Sequence, residues 1–295
     1  MSGDSLGLDP GKPNILLSFA YWDDRTILSL PIFKDNRTNL FIDSGAFTNF
    51  TSGTEKVTIG DYCAFLRSHK DMVWKYITLD VIGDSERSEE NYQYMLAQGL
   101  KPVPVFTRAA STSQQRKKDL IAMSQTTDLL GLGGVAGGMH RRDNIRYMVG
   151  CANFLRKMHK PFHLLGCGSV PVIKKVLPFS CDSSSYSSAA RYGSIQLFFN
   201  GKFYNANRKT LKDKSKIPDY ILRKYRMPKT VRRSEFFWEY TMIHNRIEIS
   251  ILSYIYFQRW LYKKFAVSYF IAVLPIARDL NALNKVCNYL YTEEN

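Results

Sequence analysis

The chain has 295 residues, with 41 Lys and Arg against 26 Asp and Glu, a formal charge of +15, and 45% hydrophobic residues. That much apolar content excludes bulk disorder, and the length suits one or two domains, including a single α/β barrel. Met1 to Lys12 is polar and Gly-rich, unlike a secretory leader. No uncharged apolar run reaches the ~18–20 residues of a membrane span; the best stretch, 249–277, is broken by Arg259, Lys263 and Lys264. The cysteines (Cys63, Cys151, Cys167, Cys181 and Cys287) are widely spaced and form no CxxC pair. Neither a disulfide framework nor a zinc ribbon is indicated, and a cytoplasmic protein is expected.

In chain order, short β-prone runs alternate with helix-like stretches. The runs are 14–19, 39–43, 75–80, 102–106, 128–133, 162–166, 179–182 and 194–199. Helical periodicity falls on 59–68, 88–98, 113–124 and 144–158. A helix between successive strands implies parallel pairing through right-handed crossovers. Eight such strands predict a (β/α)8 TIM-like barrel over residues 1–200, with a doubly wound open sheet as the alternative. Residues 201–295 then form a basic, mainly helical C-terminal extension. Within it Ser234 is expected to cap a helix, and helices are expected near 246–264 and 266–291, the second kinked or split by Pro275. Their Tyr, Phe and Trp residues are read as packing surface.

The charge is concentrated. Twelve basic residues lie between Lys202 and Arg233, opposed only by Asp213 and Asp219, so about two-thirds of the net charge falls in 32 residues. Tyr204, Tyr220 and Tyr225 are interleaved with them. A solvated surface segment has this composition, and so does a phosphate-contact surface with stacking faces, which is the reading favoured here. Lys202, Arg208, Lys209, Arg223, Lys224, Arg232 and Arg233 are the expected nucleic-acid contacts.

Three aspartates end three apolar runs: Asp43, Asp80 and Asp182. In a barrel the C-terminal strand ends line the active-site mouth, so the three carboxylates converge there and repel one another, a cost that ligand binding or catalysis justifies. The alternative is that each acid caps the turn that follows it. A Gly-rich run, Gly131 to Gly138, follows the fifth strand and lets backbone approach a flat ligand. It is neither a dinucleotide fingerprint nor a P-loop.

Taken in order, these segments resemble the tRNA-guanine transglycosylase superfamily. Asp43-Ser44-Gly45-Ala46-Phe47 is similar to the family's Asp-Ser-Gly-Gly-Phe. Residues 133–138 (Gly-Gly-Val-Ala-Gly-Gly) are similar to its Gly-Gly-Leu-Ala-Val-Gly, and residues 163–168 (His-Leu-Leu-Gly-Cys-Gly) to its Tyr-Leu-Met-Gly-Val-Gly. Residues 179–183, around Asp182, fall where the family has its nucleophile segment. The only cysteine after Asp182 is Cys287, so the family's zinc site of three cysteines and a histidine is not expected. Met139 stands where the family has a glutamate, and its base-reading glutamine is replaced around Phe106 and Thr107. A compact, very basic, zinc-less chain looks most like the phage DNA 7-deazaguanine transglycosylases.

The resemblance implies exchange of guanine in DNA, viral genomic DNA in particular, for a 7-deazaguanine base, with that base as co-substrate and no metal or redox cofactor. It makes Asp182 the nucleophile on C1′ and Asp43 the general acid and base. Asp80 would accept from the base's donor edge, with Ser44, Gly133, Gly134, Val135 and Phe106 around the base. A zinc-less tRNA-guanine transglycosylase, a glycoside or nucleoside hydrolase on the same barrel, and a non-catalytic nucleic-acid-binding barrel are the competing readings.

Overall fold

The computed structural model describes residues 6–107, 113–133, 141–225 and 242–293. Strand β1 (Asn14–Ser18) is followed by α1 (Asp24–Ile27) and α2 (Pro31–Lys34), and β2 (Asn39–Asp43) by α3 (Ala46–Ser52) and α4 (Ile59–Ser68). Then β3 (Val73–Tyr76), α5 (Ser85–Ala97), β4 (Val105–Phe106), α6 (Ser113–Gln125), β5 (Leu130–Leu132), α7 (Arg141–Lys157), β6 (Phe162–Leu164), α8 (Val170–Val176), β7 (Ser180–Ser183) and α9 (Ser185–Arg191) continue the alternation. The remainder is β8 (Ile195–Phe199), β9 (Lys202–Ala206), α10 (Asp219–Lys224), α11 (Met242–Phe265), β10 (Ser268–Ala272) and α12 (Ala277–Glu293).

Eight strands pair in parallel in the order β3-β2-β1-β10-β7-β6-β5-β4. The two end strands also meet. Thr78 N donates to Val103 O at 3.0 Å and Val103 N donates to Tyr76 O at 2.8 Å, so one bridge between Ile77 and Val103 curls the sheet round on itself. The result is a TIM-barrel-like α/β fold. Short, β-branched and aromatic strands suit this arrangement because both faces are buried, one inside the barrel and one beneath the helices.

The eighth barrel strand is not the expected one. Residues 195–199 pair antiparallel with 202–206 in a separate hairpin, whose turn places Asn200 and Gly201 at φ 46° and 82°. The missing place in the sheet is taken by β10, between β1 and β7, from a stretch expected to be helical. The barrel therefore draws on residues from both sides of position 200. Ala266, at φ 52°, ends α11 and lets the chain turn into this strand. The helix expected at Ser234 lies outside the described residues.

Helix α11 is buried on nearly every side, with Ile249, Ile251, Leu252, Ile255, Phe257 and Leu261 all but inaccessible. A helix apolar all round needs cover all round. The barrel covers its inner side and the β8–β9 hairpin its outer side, where Phe198 and Phe203 each lie about 5 Å from the Phe257 ring. The aromatic residues of this region are packing surface, as the sequence suggested. No described helix is long and apolar enough to cross a membrane.

Candidate active site

The barrel interior is filled, not hollow. Leu16, Phe41, Ile77, Val103, Leu129, Phe179 and Phe270 form one buried cluster inside it. Trp74 stacks on Phe270 at 5.3 Å, and Phe41 meets Phe270 edge-on at 5.4 Å. Side chains alternate along a strand, so Asp43, two positions beyond Phe41 on β2, points to the same axis nearer the C-terminal mouth, and so does Asp182, which pairs in register with the inward Phe270 of β10. There the inward positions turn polar, and Asp43, Asp182 and His163 meet on an apolar floor.

Asp43 ends β2 in register with Ser18, which ends β1. Its Oδ2 accepts from Gly45 N at 3.2 Å. Gly45 is held at φ +88°, and a Cβ there would lie 2.6 Å from the Cβ of Ala20, so only glycine lets the chain fold back behind Asp43. Burial pushes the Asp43 carboxyl up to about 6. The Ser18 hydroxyl beside it, without a fully formed hydrogen bond, works against this, the Asp182 charge raises it further, and Gly45 N–H and His163 lower it. The side chain keeps some water-accessible surface while protein encloses most of it, so desolvation dominates.

Asp80, just past β3, is raised to about 8, by burial first and then by the charge of Asp43. Its carboxyl has no hydrogen-bond partner among the described residues. An acid raised above its unfolded value of about 3.8 keeps its proton on folding, so its stabilising contribution is present at low pH and is lost as pH rises through about 8. Asp80→Asn removes that penalty. Thermal melts should agree with the parent near about pH 4 and exceed it by a few degrees near about pH 9. A variant that melts alike at both values would place Asp80 in open solvent.

Asp182 differs from both. It is 7% exposed, and its Oδ1 accepts from His163 Nε2 at 3.0 Å and from Gly166 N at 2.9 Å. Gly166 belongs to the turn after β6, at φ +65°, so the neighbouring strand's loop holds this carboxylate rather than its own helix. The capping alternative thus applies to Asp43, which accepts from its own turn, and not to Asp182 or Asp80. His163 was not singled out as a functional residue from sequence, and neither was Phe47, which is 57% exposed directly after the Asp43 turn.

The other expected base contacts fare unevenly. Ser44 is 1% exposed, with a hydroxyl that finds no partner among the described residues, so it does not face the mouth. Phe106 is 5% exposed and packs in the layer between strands and helices, which removes it as a wall of the pocket. At Gly133 a Cβ would lie 2.9 Å from Val105 and 3.1 Å from Thr107, so backbone alone lies at this strand end. Gly134 and Val135 lie outside the described residues.

Two residues of the basic segment, Lys202 and Lys224, stand away from the rim. Gly201, in the hairpin turn beside Lys202, lies against Trp260, and Trp260 packs on Phe265, three residues before β10 starts. Lys202 therefore stands at the end where the strands begin, opposite the carboxylates. Lys224 holds its ammonium 4.3 Å from the Tyr256 ring and 5.4 Å from Phe199, on the outer wall over α11. Asp213 and Asp219 are each paired, with Lys216 at 3.6 Å and Lys214 at 3.5 Å. Arg208, Lys209 and Arg223 are exposed; Arg232 and Arg233 lie outside the described residues. Among the described residues no group of three His, Cys, Asp or Glu side chains is placed to hold a metal ion.

No family model and no curated protein matches the chain. Among solved structures, the YdjI aldolase from Escherichia coli K12 is similar over 96% of this chain and 90% of its own, at 9% identity and a TM-score of 0.34.

Proposed function

We propose that the protein is a base-exchanging pentosyltransferase that replaces guanine in DNA with a 7-deazaguanine through a covalent bond between Asp182 and the sugar. The observation that carries the reading is the pairing of two unlike carboxyls in one mouth. Asp182 is anchored through a single oxygen by two donors, and Asp43 beside it is raised to about 6. A buried acid that holds its proton more tightly, beside a carboxylate fixed by donors, supplies an acid–base group and a nucleophile.

The chemistry follows from those roles. The Asp182 carboxylate adds to C1′ as the C1′–N9 bond breaks, and the departing guanine takes the Asp43 proton. The incoming base then gives its N9 proton to the Asp43 carboxylate, forms the new bond to C1′ and returns the electron pair to Asp182. Asp80, an unpartnered acid in the same mouth, meets the donor edge of a guanine-type base as it loses its proton. A base in a duplex cannot reach carboxylates recessed at strand ends, so the target must be flipped out or single-stranded. DNA as the polymer, and 7-deazaguanine as the incoming base, are carried by the motif resemblance and by the +15 charge.

The exposed basic residues of this segment act on the phosphates of the flanking chain and not on the target nucleotide. Lys209→Ala and Arg223→Ala are each expected to flatten the dependence of log affinity on log salt by roughly one unit, while Lys202→Ala leaves it as it was. An unchanged slope in the first two would take those residues out of the contact surface. The reaction itself is tested by incubating the protein with radiolabelled guanine and duplex DNA, single-stranded DNA or tRNA. Label is expected in DNA. Label in tRNA alone would transfer the chemistry to RNA, and label in none would defeat the reading.

A further inference from the structure

We propose that His163 is a positioning residue that divides the work of the two Asp182 oxygens, holding Oδ1 still so that Oδ2 is the atom that bonds to the substrate carbon. This rests on the transglycosylase reading above. Gly166 N and His163 Nε2 both converge on Oδ1, at 2.9 and 3.0 Å, while Oδ2 has no partner among the described residues. The imidazole is fully buried and sits edge-on to Phe41 at 4.8 Å and to Phe270 at 6.1 Å, so its plane is fixed by apolar walls.

The hydrogen bonds also place a proton on Nε2. A carboxylate only accepts, so Nε2 carries the proton. On the other side of the ring Ser180 Oγ lies 2.8 Å from Nδ1 and pairs with it. Ser180 pairs in register with His163 across β6 and β7, and Asp182 is the next inward residue on β7. The chain Asp182–His163–Ser180 thus descends from the mouth into the barrel as a rigid support for one oxygen. In the first step an Oδ2 lone pair forms the bond to C1′, the C1′–N9 pair leaves with guanine, and the proton comes from Asp43. His163 keeps its own proton throughout and takes no part in the transfer.

The test is the single-turnover rate of covalent adduct formation on guanine-containing DNA, with the KM for DNA measured alongside. His163→Phe should slow adduct formation about tenfold or more at unchanged KM, because a misplaced attacking atom costs rate and not binding. His163→Gln, whose amide can still donate to Oδ1, should recover much of that loss. Ser180→Ala, which removes only the hydroxyl beneath the ring, guards against misfolding in the larger change and should give a smaller loss of the same kind. If the parent protein forms adduct and all three variants match it, His163 is structural only and the inference is wrong while the reaction stands. If the parent forms no adduct, the reaction is wrong and the inference falls with it.

Discussion

Asp182→Asn should abolish guanine exchange while leaving DNA binding within about twofold of the parent. The substitution is isosteric, and an amide oxygen still accepts from His163 and Gly166, so the mouth keeps its shape. What is lost is the negative charge that forms the ester with C1′ and stabilises the oxocarbenium-like transition state. Losses of many orders in rate are normal when a covalent nucleophile is neutralised and no other described group in the mouth takes its place. Asp43 is the nearest candidate, but burial has raised it to about 6, and a partly protonated carboxyl is a poor nucleophile. Fluorescence anisotropy of labelled DNA measures binding in the same preparation. Exchange at the parent rate would remove Asp182 from the chemistry.

Gly45→Ala carries the second large expectation, on stability and activity together. The left-handed conformation costs a residue with a Cβ about 1–2 kcal/mol, and crowding adds a comparable amount, so a loss of roughly 3 kcal/mol is expected. For a chain of this size that is a fall of roughly 6–12 °C in melting temperature. The crowding comes from Ala20, whose Cβ would lie 2.6 Å from the new one and whose backbone N would lie 3.2 Å away. Relief requires the turn after β2 to shift, and this turn supplies the amide that Asp43 accepts from. Exchange should therefore fall further than unfolding alone explains at temperatures where the variant is folded. A melting temperature equal to the parent's would mean that the turn has room the structure does not show.

Seven of the eight barrel strands were legible because each is a short β-prone run closed by a turn or a helix signal. The three acids were legible for the same reason: an aspartate that stops such a run sits at a strand end, and in a parallel barrel all strand ends share one face. The eighth strand was missed on two counts. The run 267–273 (Val-Ser-Tyr-Phe-Ile-Ala-Val) is as β-prone as the others and ends before Pro275, but it continues an aromatic helix with no glycine to mark the break. Ala266 makes that break in a left-handed conformation, which composition does not announce.

The decoy at 195–199 carried a readable warning. Asn200-Gly201 between two apolar runs is the strongest short hairpin signal, because both residues accept positive φ. His163 was invisible for a different reason. Its role depends on β6 lying beside β7 in a register that pairs it with Ser180 and points Asp182 inward above them. That register is a property of the closed sheet, not of any local pattern. Ser44 and Phe106 failed through the same alternation. Each neighbours an inward position, and each therefore points outward into the packing between strands and helices.

The central claim is that Asp182 becomes bonded to the sugar. Its most direct test is to denature the protein during exchange, digest it and locate the adduct by mass spectrometry. A nucleotide mass on the peptide that contains Asp182, absent from Asp182→Asn, is the expected result. An adduct on a peptide without Asp182, or active exchange with no adduct on any peptide, would contradict it.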